Sequence, residues 1–537
     1  MIKLFQELKE QIQNKDKMLN NLKERPPLNL DNHEEPMSDN NYHVLTGLTR
    51  DRFNDLCSHI PPSSLRHSDI RTPRMAIAIL LVKLRLDLSH QALCTLFGLE
   101  EKMQISRILD STCSALGQYF VPKHLGFGHI TRTDVIQKHT RPLAQQLLVD
   151  DDPTKAIIIL DGTYVCIQKS HNNVLQRRSF SLHKGKPLVK PMMVVSSDGY
   201  IIAVLGPFFA DGKNNDSEIT KHLLYNNVQG FQNWMKPGDV IVVDRGFRDC
   251  LADLQKFGYE TKMPLFLKKD QTQYTTAEAN KTRLITKVRW VIESANGRVK
   301  QWRFFSNIVP NTMIEKIGSY FEIVCALINC YRPVFVKDTS KDKEIDQKIL
   351  ELAHETNKIK EYIDKIKDKS EKQLKWTSIN ATDSVSNFPK MDFDELQVLT
   401  LGTYQLKQAR SYITEHLSED GAFLVKVANK KQDLLRARIQ SRHRNAVKYE
   451  LYIQYNNRQI TGWYCKCPNG SRVVGCCAHI ASVMYYLAFA RYNPEHLQPR
   501  SSKYYASLTD AVDYSEVSDT ETSDEDEDDS NTLYYLV

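Results

Sequence analysis

The chain has 537 residues, 41% hydrophobic, 26% charged and 9% aromatic, the proportions of a folded multidomain protein and not of a disordered one. Its apolar runs, such as residues 75–82, fall far short of the about 20 residues that cross a bilayer, and the charged N-terminus (MIKLFQELKEQIQNKDK) has no signal-peptide core, so no membrane or secretory role is expected. The net charge of +7 hides 11 acidic residues without Lys or Arg from Asp510 onward, which leaves +18 (7 + 11) on residues 1–509 and favours a polyanionic partner, nucleic acid ahead of membrane.

Residues 1–43 form a charged arm, interrupted by Pro26, Pro27 and Pro36. Helical periodicity then fills 49–59, 72–86, 89–97 and 101–119. Ser89 suits an N-cap and Gly98 a left-handed C-cap, so helix, short turn and helix follow one another as a helix-turn-helix block over residues 44–125. Lys102, Gln104, Ser106 and Arg107 open its last helix, where Lys102 and Arg107 carry the charge to meet nucleic acid.

From Lys155 the period changes to that of strands, at 156–160, 189–196, 200–205 and 239–243, with helices at 216–228, 277–301 and 311–331. Short buried strands with helices arriving later describe an α/β sheet covered on both faces, over 155–332. Residues 337–395 read as a charged helical connector and linker, and short strands at 422–427, 434–440, 449–455 and 459–465 precede a helix at 479–491, within a module at 396–495. The acidic stretch 501–537 is disordered by composition.

Three carboxylates carry the chemistry. Asp161 and Asp244 each end a buried strand, at the sheet edge where open α/β sheets build their sites, although either one alone is equally well a turn residue. On the helix at 277–301, Leu284, Val288, Val291, Ile292, Ala295 and Val299 form the buried stripe. Arg289, Glu293, Asn296 and Lys300 share another face, where Glu293 is also able simply to pair with Arg289. Two strand-end aspartates and a helix glutamate among basic residues are what two-metal phosphodiester chemistry requires, because hard Mg²⁺ prefers carboxylate oxygens.

The ordered segments LDGTYVCI, SLHKGKPLVKPMMVVSSDGYI, GKNNDSEI, VVDRGFRD and KVRWVIESANGRVKQWRFF resemble the DDE transposases of the PIF/Harbinger and IS5-like group. The resemblance implies an RNase H-like endonuclease domain in which Asp161, Asp244 and Glu293 bind Mg²⁺ or Mn²⁺, as two ions. It places Arg289, Arg298 and Lys300, with Lys102 and Arg107 of the helical block, on DNA. It further implies transposon ends and target DNA as partners, with a separate accessory DNA-binding protein, and leaves open whether the chain forms a homo-oligomer. Asp216, in the segment where the family often has His before Asp, reads as a site-edge or helix N-cap residue; Asp249 rivals Asp244 and is set aside because the buried strand delivers Asp244 directly.

Seven of the 11 cysteines are isolated in apolar context and four crowd between Cys465 and Cys477, a metal-site distribution that implies a reducing compartment. Cys465-x-Cys467, nine residues, then Cys477-x-His479 resembles the SWIM zinc finger and implies one structural Zn²⁺, with Cys476 a spare thiol. Lys430, Lys431, Arg436, Arg438, Arg442, His443, Arg444 and Lys448 make the preceding strands basic, as a nucleic-acid face, an import signal or a solvated hairpin. The sequence is thus expected to specify a nuclear, eukaryotic DDE transposase that cleaves and transfers DNA strands; the alternative is a domesticated, inactive DNA- or chromatin-binding protein.

Overall fold

The computed structural model describes residues 28–30, 37–67, 71–335, 340–367, 375–380, 387–417, 424–428, 431–442, 444 and 446–496, with residues 13 and 15 before them. Most of the expected N-terminal arm, all of the acidic 501–537 stretch, Lys430 and His443 lie outside the described residues. The chain divides into two compact units, the first comprising the described residues up to Lys262 with Arg289 to Phe335, the second Met263–Val288 with the described residues from 340 on.

In the first unit the helix Pro73–Leu86 starts at Thr72, whose hydroxyl accepts from Met75 N at 3.0 Å, with Pro at the first helical position. Residues 76–84 are buried throughout, which is why this helix carries apolar side chains all round. Ser89 caps His90–Phe97 and Gly98 ends it at φ 65°, after which Lys102–Tyr119 begins, as the sequence leads one to expect. Helices Arg132–His139 and Pro142–Val149 then lead to the sheet.

Seven strands make that sheet: β1 Ile157–Gly162, β2 Val165–Cys166, β3 Phe180–Ser181, β4 Lys186–Ser196, β5 Ile201–Phe208, β6 Val240–Val242 and β7 Glu260–Lys262. Its central order is β5–β4–β1–β6–β7, with β2 and β3 also on β4. β4 runs antiparallel to β1 and β5, while β1, β6 and β7 are parallel. Residues 156–160 and 187–199 are buried, as expected of a sheet covered on both faces, with Lys190, Ser196, Ser197 and Asp198 the polar residues among them. Behind it Ile317–Tyr331 buries Ile317, Tyr320, Phe321 and Val324.

The second unit contains β8 Trp376–Asn380, β9 Leu424–Ala428, β10 Lys431–Gln440, β11 Lys448–Tyr455 and β12 Ile460–Cys465, an antiparallel sheet in the order β12–β11–β10–β9–β8. Helices Phe393–Leu399, Tyr404–His416 and Ala478–Ala488 belong to the same unit. Where the sequence pattern reads as a thin connector, the helices Ser340–Leu352 and Lys358–Lys367 bury Ile345, Ile349, Ile359 and Ile363. Ile359 and Ile363 share a core with Leu434, Tyr452 and Tyr464, partners too far along the chain for local pattern to reveal. Residues 263–288, expected in the α/β domain, pack with this unit, so the helix Thr276–Lys300 contributes its two parts to different units. No helix of the described residues is long and apolar enough to cross a membrane.

Candidate active site and metal centre

Strand register makes neighbours of two aspartates. In the parallel pairing Ile157 lies beside Val240, an offset of 83 residues (240 − 157), and the same offset separates Asp161 from Asp244. Adjacent strands lie about 4.8 Å apart, so the two side chains leave the sheet together at its C-terminal edge. Asp244 caps the turn Arg245–Cys250, its Oδ1 accepting from Gly246 N at 2.8 Å.

Glu293 and its neighbours arrive from the helix Thr276–Lys300. The guanidinium of Arg289 pairs with Glu293 and stands 3.9 Å from Asp161 Oδ1, while Asn296 Nδ2 donates to Asp161 Oδ2 at 3.0 Å. One helix face therefore serves one carboxylate from two sides. The ion pair between Arg289 and Glu293 and the approach to the aspartates, alternatives at the level of sequence, both occur.

A fourth carboxylate joins them. The N-cap of the helix Asp216–Tyr225 is Asn215, which accepts from Glu218 N at 2.9 Å, and Asp216 itself points into the site. A Cβ on Gly162 would come within 2.8 Å of Asp216 Oδ1, and one on Gly246 within 3.2 Å of Asp216 Oδ2 and 3.1 Å of Asp244 Oδ1. The carboxylate thus lies against the turns that follow both strand-end aspartates, so of the two roles read from sequence the cap falls to Asn215 and Asp216 stands at the site. Lys190 Nζ, on β4 and 6% exposed, pairs with Asp216 Oδ1 at 2.6 Å and donates to Asn214 O at 3.1 Å.

Electrostatics follow from this crowding. Burial pushes the Asp161 carboxyl well above its ordinary range; Arg289 opposes, and the charges of Asp244, Asp216 and Glu293 push further. Asp244 is raised by burial, against Arg289, with Asp216 adding to the rise. Glu293 is likewise raised by burial against Arg289, Asp244 adding. The half-buried Tyr164 is raised by burial and then by Asp216, Asp161 and Asp244. Lys300 is lowered chiefly by burial, with Asp161 pulling the other way. Carboxylate oxygens are the donors that divalent cations prefer, and beside these four carboxylates are two glycines where a side chain would fill the space and the buried Asn296 Oδ1 without a hydrogen bond.

Other expected site residues lie elsewhere. Asp249 is 64% exposed and pairs with Arg248 at 3.0 Å. Arg298 donates to Pro333 O at 2.5 Å with its guanidinium over the Phe335 ring, so it is engaged within the fold. Lys102 and Arg107 are exposed at the start of their helix, whereas Gln104 completes a capping box with Glu101 and Ser106 bonds to His90. Asn296 and Lys190 are the contributors that sequence reasoning left unassigned; a lysine inside the apolar run 187–195 was the available signal, since a buried ammonium needs a counter-charge.

The second unit holds the thiols. One ligand atom from each of Cys465, Cys467, Cys477 and His479 lies within 4.8 Å of the others, and all four residues are buried. Tetrahedral Zn²⁺ with Zn–S near 2.3 Å sets its sulfurs about 3.7 Å apart, so the donor set and spacing fit. Cys465 ends β12 and Cys477 is the N-cap of Ala478–Ala488. The knuckle between them is tight: Gly470 N donates to Cys467 O at 2.9 Å, and a Cβ on Gly470 would fall 2.2 Å from Cys465 O. Gln273 Nε2 donates to the carbonyls of Cys465 and Cys467, both at 2.7 Å. Burial opposes ionisation of Cys477, yet hydrogen bonds from Cys465, Cys467 and His479 hold its thiol well below the usual range. Cys476 is buried outside the cluster, and burial raises its thiol to about 12. In the basic strand region, Glu450 pairs with Arg436 and Lys466 and lies 3.7 Å from Arg438, which neutralises part of that face.

Residues 160–329 match the family model of the DDE superfamily endonucleases. No curated protein and no solved structure matches the chain. The matched residues span Asp161, Asp216, Asp244 and Glu293, and the match supports a DDE superfamily endonuclease domain over this region of the chain, a kind of domain that would act on DNA.

Proposed function

We propose that the chain is a PIF/Harbinger-type DDE transposase that cleaves DNA and transfers the cut strands, with Asp161, Asp244 and Glu293 as the metal-binding triad of an RNase H-like domain. The observation that carries this reading is the meeting of three carboxylates from β1, the end of β6 and a distant helix around Arg289. Asp161, Asp244 and Glu293, with Asp216 beside them, would hold two Mg²⁺ or Mn²⁺ ions. Bound there, such ions activate water or a 3′-hydroxyl and stabilise the attacking and leaving oxygens. Asn296 fixes the Asp161 carboxylate in one orientation. Arg289 offsets negative charge before cations arrive, and Lys190 does the same for Asp216. Lys300, on the same helix face and within electrostatic reach of Asp161, would meet a phosphate oxygen.

The second unit is read as a SWIM-type module closed by one structural Zn²⁺ on Cys465, Cys467, Cys477 and His479. Its four protein ligands leave no position for a substrate, which is the structural and not the catalytic pattern. Lys102–Tyr119 is read as the recognition helix of a helix-turn-helix, and the nucleus as the place of action.

The test is cleavage of DNA bearing the element's terminal sequences. Glu293→Gln should lower Mg²⁺-dependent cleavage by about 10³-fold or more, about 4 kcal/mol in the barrier, while metal-free DNA affinity stays equal or tightens because one repelling charge is gone. Salt-sensitive DNA binding by the wild type without nicking in Mg²⁺ or Mn²⁺ would overturn the nuclease reading in favour of a domesticated binding protein.

A further inference from the structure

A site of four carboxylates repels the phosphates on which it would act, so cationic surface beside it must hold the strand. Between Asp161 and Asp198 the chain has no Asp or Glu at all, while it carries Lys169, Arg177, Arg178, Lys184, Lys186 and Lys190. Lys190 is committed to Asp216, and Arg178 to Asp211 at 2.6 Å. Lys169, Arg177 and Lys186 are exposed and Lys184 half-buried, and none of these four has a carboxylate partner among the described residues.

Two of them sit on a short hairpin. Phe180 pairs with Pro187 and Ser181 with Lys186, and Gly185, at φ 62°, closes the turn by donating to Ser181 O at 2.9 Å. At the tip Leu182 is 83% exposed, the most exposed of the large apolar side chains among the described residues. The hairpin adjoins the carboxylates through Tyr164: Lys184 Nζ lies 5.6 Å from the centre of that ring and Lys190 Nζ 5.8 Å from it. An apolar side chain on a tight turn between cations has the form of the wedges that proteins insert between base steps, with the flanking charges on the backbone.

We infer that the hairpin 181–186 grips duplex DNA next to the phosphate to be cut, with Lys184 and Lys186 on backbone phosphates and Leu182 against the exposed face of a base. The inference rests on the nuclease reading and adds to it a substrate-positioning surface and a local distortion of the DNA.

The test uses the full chain without metal and a nicked duplex carrying 2-aminopurine beside the nick. Lys184→Ala with Lys186→Ala should lower the salt dependence of binding by about two phosphate contacts while leaving the thermal midpoint unchanged. Leu182→Ala should retain most of the affinity yet lose the fluorescence rise that reports unstacking, and Leu182→Met should restore it. An unchanged salt slope together with an unchanged fluorescence rise would overturn the inference. If the wild type then still cuts DNA in Mg²⁺, the nuclease reading survives that failure; a wild type that neither binds nor cuts DNA removes both.

Discussion

The two clusters of ligand-type side chains are built by opposite means. The thiol cluster comes from Cys465 to His479, within one knuckle and the following helix turn, so local hydrogen bonds and tight glycine packing do most of the assembly and Gln273 adds two hydrogen bonds from afar. The carboxylate site collects residues from 161 to 293, and only the sheet register and the helix face bring them together. Their electrostatics differ as much. Among the thiols one group, Cys477, is held in a form ready to ligate by the others. Among the carboxylates burial and mutual repulsion raise Asp161, Asp244 and Glu293, and Arg289 and Lys190 relieve the strain in part. A closed set of soft donors suits a structural ion, whereas crowded hard carboxylates, which resist ionising together, suit divalent cations that would offset their charge.

The largest expected effect is on the local site. Structural zinc contributes on the order of 10 kcal/mol in small zinc modules, so Cys477→Ser should abolish the single bound zinc in metal analysis and unfold the surrounding module. Cys476→Ser should keep the ion, because Cys476 stands outside the cluster. Equal loss in the two variants would break the assigned register of ligands.

Next is the counter-charge of the carboxylate site. Lys190→Met leaves the half-buried Asp216 without its cation and should cost about 2 kcal/mol in metal-free unfolding. Lys190→Met combined with Asp216→Asn should recover most of that loss. A purely additive double variant would mean that the 2.6 Å pair does not couple the two residues.

A smaller effect is expected in pH dependence. The Asp161 carboxyl is raised in the folded chain, so its stabilising share is complete below the ordinary carboxylate range and is lost as pH rises through the raised value. Without metal at neutral pH, Asp161→Asn should therefore melt a few degrees above the wild type, about 2–4 °C for each kcal/mol. The gap should close as the pH falls towards the carboxylate range, and Mg²⁺ should stabilise the wild type more than the variant. A wild type that melts higher at neutral pH without metal would contradict the crowding of charge.

How much of this was written in the sequence depends on how local each feature is. Ser89 and Gly98 cap their helices as their residue types demand, and the face of Arg289, Glu293, Asn296 and Lys300 follows from helical spacing alone. The strand-end positions of Asp161 and Asp244 were equally legible, because buried parallel strands read as unbroken apolar runs. Asp216 was not, for an Asp after Asn-Asn before a helix looks like a cap, and only Gly162 and Gly246 of distant turns reveal where its carboxylate goes. The burial of Ile359 and Ile363 depends in the same way on Tyr452 and Tyr464, about a hundred residues onward.

Mn²⁺ titration followed by electron paramagnetic resonance, on the wild type, Asp244→Asn and Asp249→Asn without DNA, tests most directly whether the strand-end and helix carboxylates form one divalent-cation site. The account predicts that Asp244→Asn weakens Mn²⁺ binding by about tenfold or more, whereas Asp249→Asn, exposed and paired with Arg248, binds as the wild type does. Unchanged binding in Asp244→Asn, or equal weakening in both variants, would contradict it.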